Sequence, residues 1–119
     1  MILADTSIWI EHFRQGLPLF GEELRRNHIF IHPAVLGELA TENLSNRKST
    51  LGLLRRLPVV KVATADECLG FLESHHLYGK GIGWIDVQLL AASRLSQVPL
   101  WTTDKRLRDA ASLLGIASP

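Results

Sequence analysis

A chain of 119 residues with 46% apolar side chains and a formal net charge of +1 is long enough to bury one core without disulfide or metal staples, and its charge balance selects no partner by itself. A single cysteine excludes an internal disulfide framework and points to the cytoplasm. No apolar run approaches the roughly twenty residues of a membrane span, and Met1-Ile2-Leu3-Ala4-Asp5 lacks the basic start of a signal peptide, so no membrane partner is expected.

Ile2-Leu3-Ala4 reads as a short strand. Asp5-Thr6-Ser7, all favourable helix N-caps, end it, and Ile8, Trp9 and Phe13 then recur at helical spacing. Pro18 interrupts that pattern, and Glu22 to Arg26 is polar enough for an exposed helix. Ile29-Phe30-Ile31 is a second strand halted by His32-Pro33; Pro33 suits the first turn of a helix whose stripe is Val35, Leu36 and Leu39. After the polar stretch Ser45 to Ser49, Leu51, Leu54 and Leu57 mark a short helix. Pro58 ends it before the β-branched Val59-Val60-Lys61-Val62, a third strand. Thr64-Ala65-Asp66-Glu67 has the form of a capping box for a helix through Cys68, Phe71 and Leu72, with Cys68 as a buried structural thiol. Gly79-Lys80-Gly81-Ile82-Gly83 is a flexible break before a strongly apolar helix from Trp84 to Leu95. Pro99-Leu100-Trp101-Thr102 is a fourth strand, and Asp104 caps a last helix carrying Leu107, Ala110 and Ala111 and ended by Gly115. The alternation predicts one domain over residues 1–119 of the α/β class, with a central, mostly parallel sheet of four to five strands and helices on both faces.

Four acids stand out against this frame. Asp5 and Asp104 each follow an apolar strand, and the C-terminal ends of parallel strands face the crevice where ligands bind. Each also reads as a plain N-cap, and capping does not exclude ligation. Asp86 has Ile82, Leu89 and Leu90 three or four residues away, which puts its carboxylate on the apolar face of its helix, where an unpartnered charge is costly. Glu38 lies beside the Val35–Leu39 stripe, although Glu42 one turn later could equally mark a solvated flank. Clustered, the four would repel one another unless divalent cations intervened, and all-oxygen ligands are those Mg²⁺ or Mn²⁺ prefers. Metals held this way bind a scissile phosphate and lower the pKa of an attacking water, the chemistry of phosphodiester hydrolysis. Thr6, Ser7, Thr102 and Thr103 are hydroxyls placed to support the ligands. The adjacent His75 and His76 point in different directions on a helix and make no zinc site.

On Ile2-Leu3-Ala4-Asp5-Thr6-Ser7, the helical Glu38 after Pro33, Gly81-Ile82-Gly83-Trp84-Ile85-Asp86 and Leu100-Trp101-Thr102-Thr103-Asp104, the chain resembles the PIN-domain ribonucleases, specifically the VapC-type toxins, over essentially its whole length. The resemblance implies a PIN-like α/β sandwich and a Mg²⁺- or Mn²⁺-dependent endoribonuclease, usually a homodimer, silenced by a VapB-like antitoxin. Carried over by position, Asp5 and Asp86 are the principal metal ligands, Glu38 and Asp104 complete the catalytic acidic site, and Thr102 matches the hydroxyl two positions before the last acid. Asp109, beyond Lys105-Arg106-Leu107-Arg108, is left outside the site.

Arg25-Arg26, Arg47-Lys48, Arg55-Arg56, Lys80 and Lys105-Arg106-Arg108 are candidate phosphate contacts, a solvated helix face being the favoured reading for any single pair; Lys80, Lys105 and Arg106 are the ones assigned to RNA, Lys80 first because it precedes Asp86 in the glycine-rich segment. Trp9, Trp84 and Trp101 are read as core rather than as base-stacking residues. An antitoxin groove is expected either at Trp9, Phe13 and Phe20 or at Leu51, Leu53 and Leu54. Two other function classes are weighed. A receiver-like signalling domain also gathers acids around Mg²⁺, but Asp5 has no acidic neighbour and no aspartate follows the Val59–Val62 strand; a non-catalytic binding module has no need of all four acids.

Overall fold

The computed structural model describes residues 1–119. Three apolar runs pair as parallel strands: β1 (Ile2–Ala4), β2 (Ile29–Phe30) and β3 (Leu100–Trp101), in the order β2-β1-β3. Ile2 and Leu3 register with Ile29 and Phe30 on one side, and Leu3 and Ala4 with Leu100 and Trp101 on the other. One further parallel bridge lies at each edge, Ile31 to Val59 and Leu100 to Ala117. Five parallel segments therefore lie side by side, in line with the four to five expected from the sequence.

The stretch Val59–Val62 makes a single bridge rather than a full strand, for a local reason. Val60 is buried while Val59 and Val62 stand about half exposed, and the Lys61 N–H is taken by the Ser96 hydroxyl at 2.9 Å instead of a neighbouring strand. At the other edge the C-terminal segment docks through Leu100 N–H to the Ile116 carbonyl (2.7 Å) and Ser118 N–H to the Leu100 carbonyl (2.9 Å).

Seven helices connect these segments: α1 (Thr6–Gln15), α2 (Pro18–Arg25), α3 (Pro33–Ala40), α4 (Arg47–Leu54), α5 (Ala65–Ser74), α6 (Trp84–Ser96) and α7 (Lys105–Leu113). Pro18 opens α2 rather than merely breaking α1, because its fixed φ and missing N–H suit a first helical position. The capping box at Thr64 and Glu67 is present in both directions. From β1 the chain steps outward through β2 to Val59, then returns across the sheet to β3 and Ala117. Right-handed crossovers running in opposite directions put α1–α4 on one face and α5–α7 on the other. The packing agrees: α1 meets α3, α3 meets α4, α5 meets α6, and α6 and α7 lie on β3.

The core runs from Leu3 and Ala4 on β1 to Leu89, Leu90 and Ala92 on α6, with Phe20 fully buried. Phe20 sets its ring edge-on to Trp9 and Trp101, at centroid distances of 4.8 and 5.6 Å, and so ties α1 and α2 to β3. Cys68 is buried in a satellite cluster with Val87 and Ala91. No helix is long and apolar enough to cross a membrane.

Candidate active site

Because connections leave β1 and β3 toward opposite faces, a crevice opens between their C-terminal ends, the place where open parallel sheets bind ligands. Asp5 and Thr102 occupy it. The Asp5 N–H donates to the Trp101 carbonyl at 3.0 Å, which locks the two strand ends together. The Asp5 carboxylate caps α1 through the Ile8 N–H (3.2 Å) and accepts from the Ser7 hydroxyl (2.6 Å) and the Thr102 hydroxyl (2.5 Å). Thr102 accepts in turn from the Asp104 N–H (3.0 Å), and Ser7 from the Thr103 N–H (3.0 Å). Asp104 caps α7 through the Leu107 N–H at 3.0 Å. One buried hydroxyl thus links two of the four acids.

Glu38 enters from α3, where its Oε1 accepts from the Thr6 hydroxyl at 2.5 Å; Thr6 therefore holds Glu38 as Ser7 and Thr102 hold Asp5. Asp86 stands in the first turn of α6. The sequence placed its carboxylate on an apolar face with no structural explanation, and the structure supplies part of one: it is half-buried and accepts from the Gly83 N–H at 3.0 Å. Three of the four acids therefore sit at helix N-termini, where orphan N–H groups and the helix dipole favour negative charge.

Burial pushes the Asp5 carboxyl above the usual aspartate range, against the pull of its Ser7, Thr102 and Ile8 hydrogen bonds. Asp86 is also pushed up, chiefly by burial, against the pull of its bond from Gly83 and with smaller additions from the like charges of Asp104, Asp5 and Glu38. That repulsion joins acids from four separate elements into one electrostatic neighbourhood. No three carboxylate, imidazole or thiolate side chains are drawn together into a ready-made metal cage. Mg²⁺ does not require one, since it keeps several waters and binds through one or two carboxylates, and the donor set is all oxygen. The residues therefore fit such an ion.

His32 is a contributor that the sequence reading used only as a strand stop. It follows Ile31, two residues past the end of β2, is 2% exposed, and caps α3 by accepting the Ala34 N–H on Nδ1 at 2.9 Å. Burial holds its pKa below the ordinary value, and its Nδ1 bond orients the start of the helix carrying Glu38. Its position directly before a proline at a strand end was the signal that could have found it. Of the tryptophans, Trp9 is core and Trp101 packs on Phe20, but Trp84 is 43% exposed beside the site.

The basic candidates separate. Lys105 is spent on an exposed pair with Asp109 at 2.9 Å, which leaves Asp109 occupied outside the site. Lys80 is exposed. Arg106 lies against the glycine-rich segment, its Cδ and guanidinium over the α-carbon of Gly81. On the α1–α4 face, Trp9, Phe13, Leu53 and Leu54 line one groove of 640 Å³ flanked by Arg25 and Arg56; it draws on both stretches that the sequence offered as alternatives, but Leu51 does not line it and Phe20 is fully buried in the core.

A family model described as "PIN domain" matches residues 2–113. Ribonuclease VapC32 of Mycobacterium tuberculosis, from strains CDC 1551 / Oshkosh and H37Rv, is 40% identical over 118 residues, covering 98% of this chain and 95% of the relative. Among solved structures, PAE2754 from Pyrobaculum aerophilum superposes with a TM-score of 0.58 at 15% identity over 92% of this chain and 78% of that one, a likeness of fold.

Proposed function

Since the chain belongs to the PIN-domain family, and within it to the VapC-type ribonucleases, we propose that it is a divalent-metal-dependent endoribonuclease, the toxin of a VapBC toxin–antitoxin pair, with Asp5, Glu38, Asp86 and Asp104 as its catalytic acids. The observation that carries this reading is the half-buried Asp86 carboxyl, raised first by burial and further by the like charges of Asp104, Asp5 and Glu38. A protein gains nothing from that repulsion unless a cation resolves it.

Asp5 and Asp86 would hold Mg²⁺, with Mn²⁺ able to substitute, and Glu38 and Asp104 would complete the acidic shell. A bound ion supplies Lewis-acid polarisation of the phosphodiester and a more acidic water. The chain's own residues do the positioning. Thr102 and Ser7 fix both oxygens of Asp5, Thr6 fixes Glu38, and the Thr102 link to the Asp104 N–H keeps the last acid in step with the first. Held so, Glu38 or Asp104 can take the proton of an attacking water.

The partner is a VapB-like antitoxin, for which the groove between α1 and α4 offers apolar walls and the cations Arg25 and Arg56, a fit for an amphipathic helix with acidic flanks. The assembly is a homodimer acting in the cytoplasm, where RNA and a reduced Cys68 coexist. The test is cleavage of a mixed RNA pool by antitoxin-free protein with Mg²⁺, Mn²⁺ or EDTA, alongside Asp86→Asn purified identically. Metal-dependent cleavage lost in Asp86→Asn establishes the site; equal cleavage by both proteins, or none under any condition, leaves a binding module instead.

A further inference from the structure

Gly81 has φ +76, and a Cβ built on it would stand 2.5 Å from Nη1, 2.7 Å from Cδ and 3.0 Å from Cζ of Arg106. The arginine therefore lies flat on the bare backbone of the segment that leads into Asp86, while its own helix begins at Asp104. It spans the two acid-bearing helix starts that frame one side of the site. Despite acids on both sides, Arg106 makes no salt bridge; the ion pairs of the chain belong to Arg14, Arg26, His28 and Lys105. An exposed guanidinium whose position is fixed by packing, and whose charge no carboxylate neutralises, keeps its forked donors for an external anion.

Resting on the nuclease reading above, we infer that Arg106 is the phosphate-docking residue of the RNA strand at the rim of the acidic site, and that Gly81 is a positioning residue whose missing side chain makes the seat for it. An acidic cluster repels the polyanion it must cut. A cation seated beside Asp86 and Asp104 without joining them draws a neighbouring phosphate to the rim and leaves the carboxylates free. Lys80 and Lys105 do not share this role: one has no seat and the other is paired with Asp109.

The test uses cleavage kinetics on a mixed-sequence single-stranded RNA with Mg²⁺, over a series of KCl concentrations. Arg106→Ala raises KM about tenfold with kcat within about twofold, the signature of a lost charge-assisted contact, and makes the salt dependence of kcat/KM shallower by about 0.7 in log–log slope, one phosphate contact. Arg106→Lys restores the slope but not KM, because an ammonium does not lie flat on Gly81. Gly81→Ala raises KM in the wild-type background, and this KM increase is absent once Arg106 is already alanine. Asp86-dependent cleavage with unchanged KM and slope in Arg106→Ala overturns the assignment of Arg106 alone. An equal KM effect of Gly81→Ala with and without Arg106 overturns the seat. Cleavage that survives Asp86→Asn overturns the nuclease reading and the proposal with it.

Discussion

Thr102 holds the site together through one hydroxyl, donating to Asp5 and accepting from the Asp104 N–H while itself 2% exposed. Thr102→Val keeps the shape and removes both bonds, which leaves a buried carboxylate oxygen and a backbone N–H unpaired; denaturant unfolding should show a loss of about 1–3 kcal/mol, recovered by Thr102→Ser. Asp86 is under the opposite stress. Its folded pKa is raised above the unfolded value, so in metal-free protein its ionised form costs stability at neutral pH, and stability returns as pH falls through the raised value toward the ordinary one. In EDTA, Asp86→Asn therefore melts above wild type near neutral pH, and the gap closes by about pH 4. Cleavage by the same variant drops about a hundredfold or more. A gap that widened on acidification would contradict a raised Asp86 carboxyl.

At the scale of elements, capping and chemistry can be separated. Thr64 and Glu67 cap α5 and belong to no part of the acidic site. Thr64→Ala should cost about 1 kcal/mol in unfolding with the RNA cleavage rate unchanged. Asp104→Asn keeps a side-chain cap on α7 and removes the charge, so it should leave stability intact while lowering cleavage, whereas Asp104→Ala lowers both. The sequence made much of this legible. Apolar runs ended by Asp5 and Asp104, the Thr64–Glu67 box and the Pro33 start are local signals, and they lie where the structure has those elements. The crevice was legible too, because it follows from parallel strands and the placement of acids after them. What escaped was set by distant partners. The Val59–Val62 strand is curtailed by a hydroxyl on α6, the first turn of α6 gives Asp86 a backbone donor, and the seat of Arg106 depends on a glycine twenty-five residues upstream. None of these has a periodicity to read.

For the whole molecule, the reading predicts a linkage between metal and fold. An ion that binds the folded acids and not the unfolded chain stabilises by mass action, about 2.7 kcal/mol at a hundred times its dissociation constant. Mg²⁺ or Mn²⁺ should raise the melting temperature of wild type and leave an Asp5→Asn, Asp86→Asn double variant nearly unmoved; an equal rise in both would place the ion elsewhere. The sheet itself limits how this molecule can be approached. Each of its outer margins is held by a single bridge, at Val59 and at Ala117, and edges this short are poor templates for another strand. Short margins disfavour strand addition, so a docking protein is expected to read side chains on the helical faces rather than the backbone ladder, the most promiscuous adhesive a β-protein has.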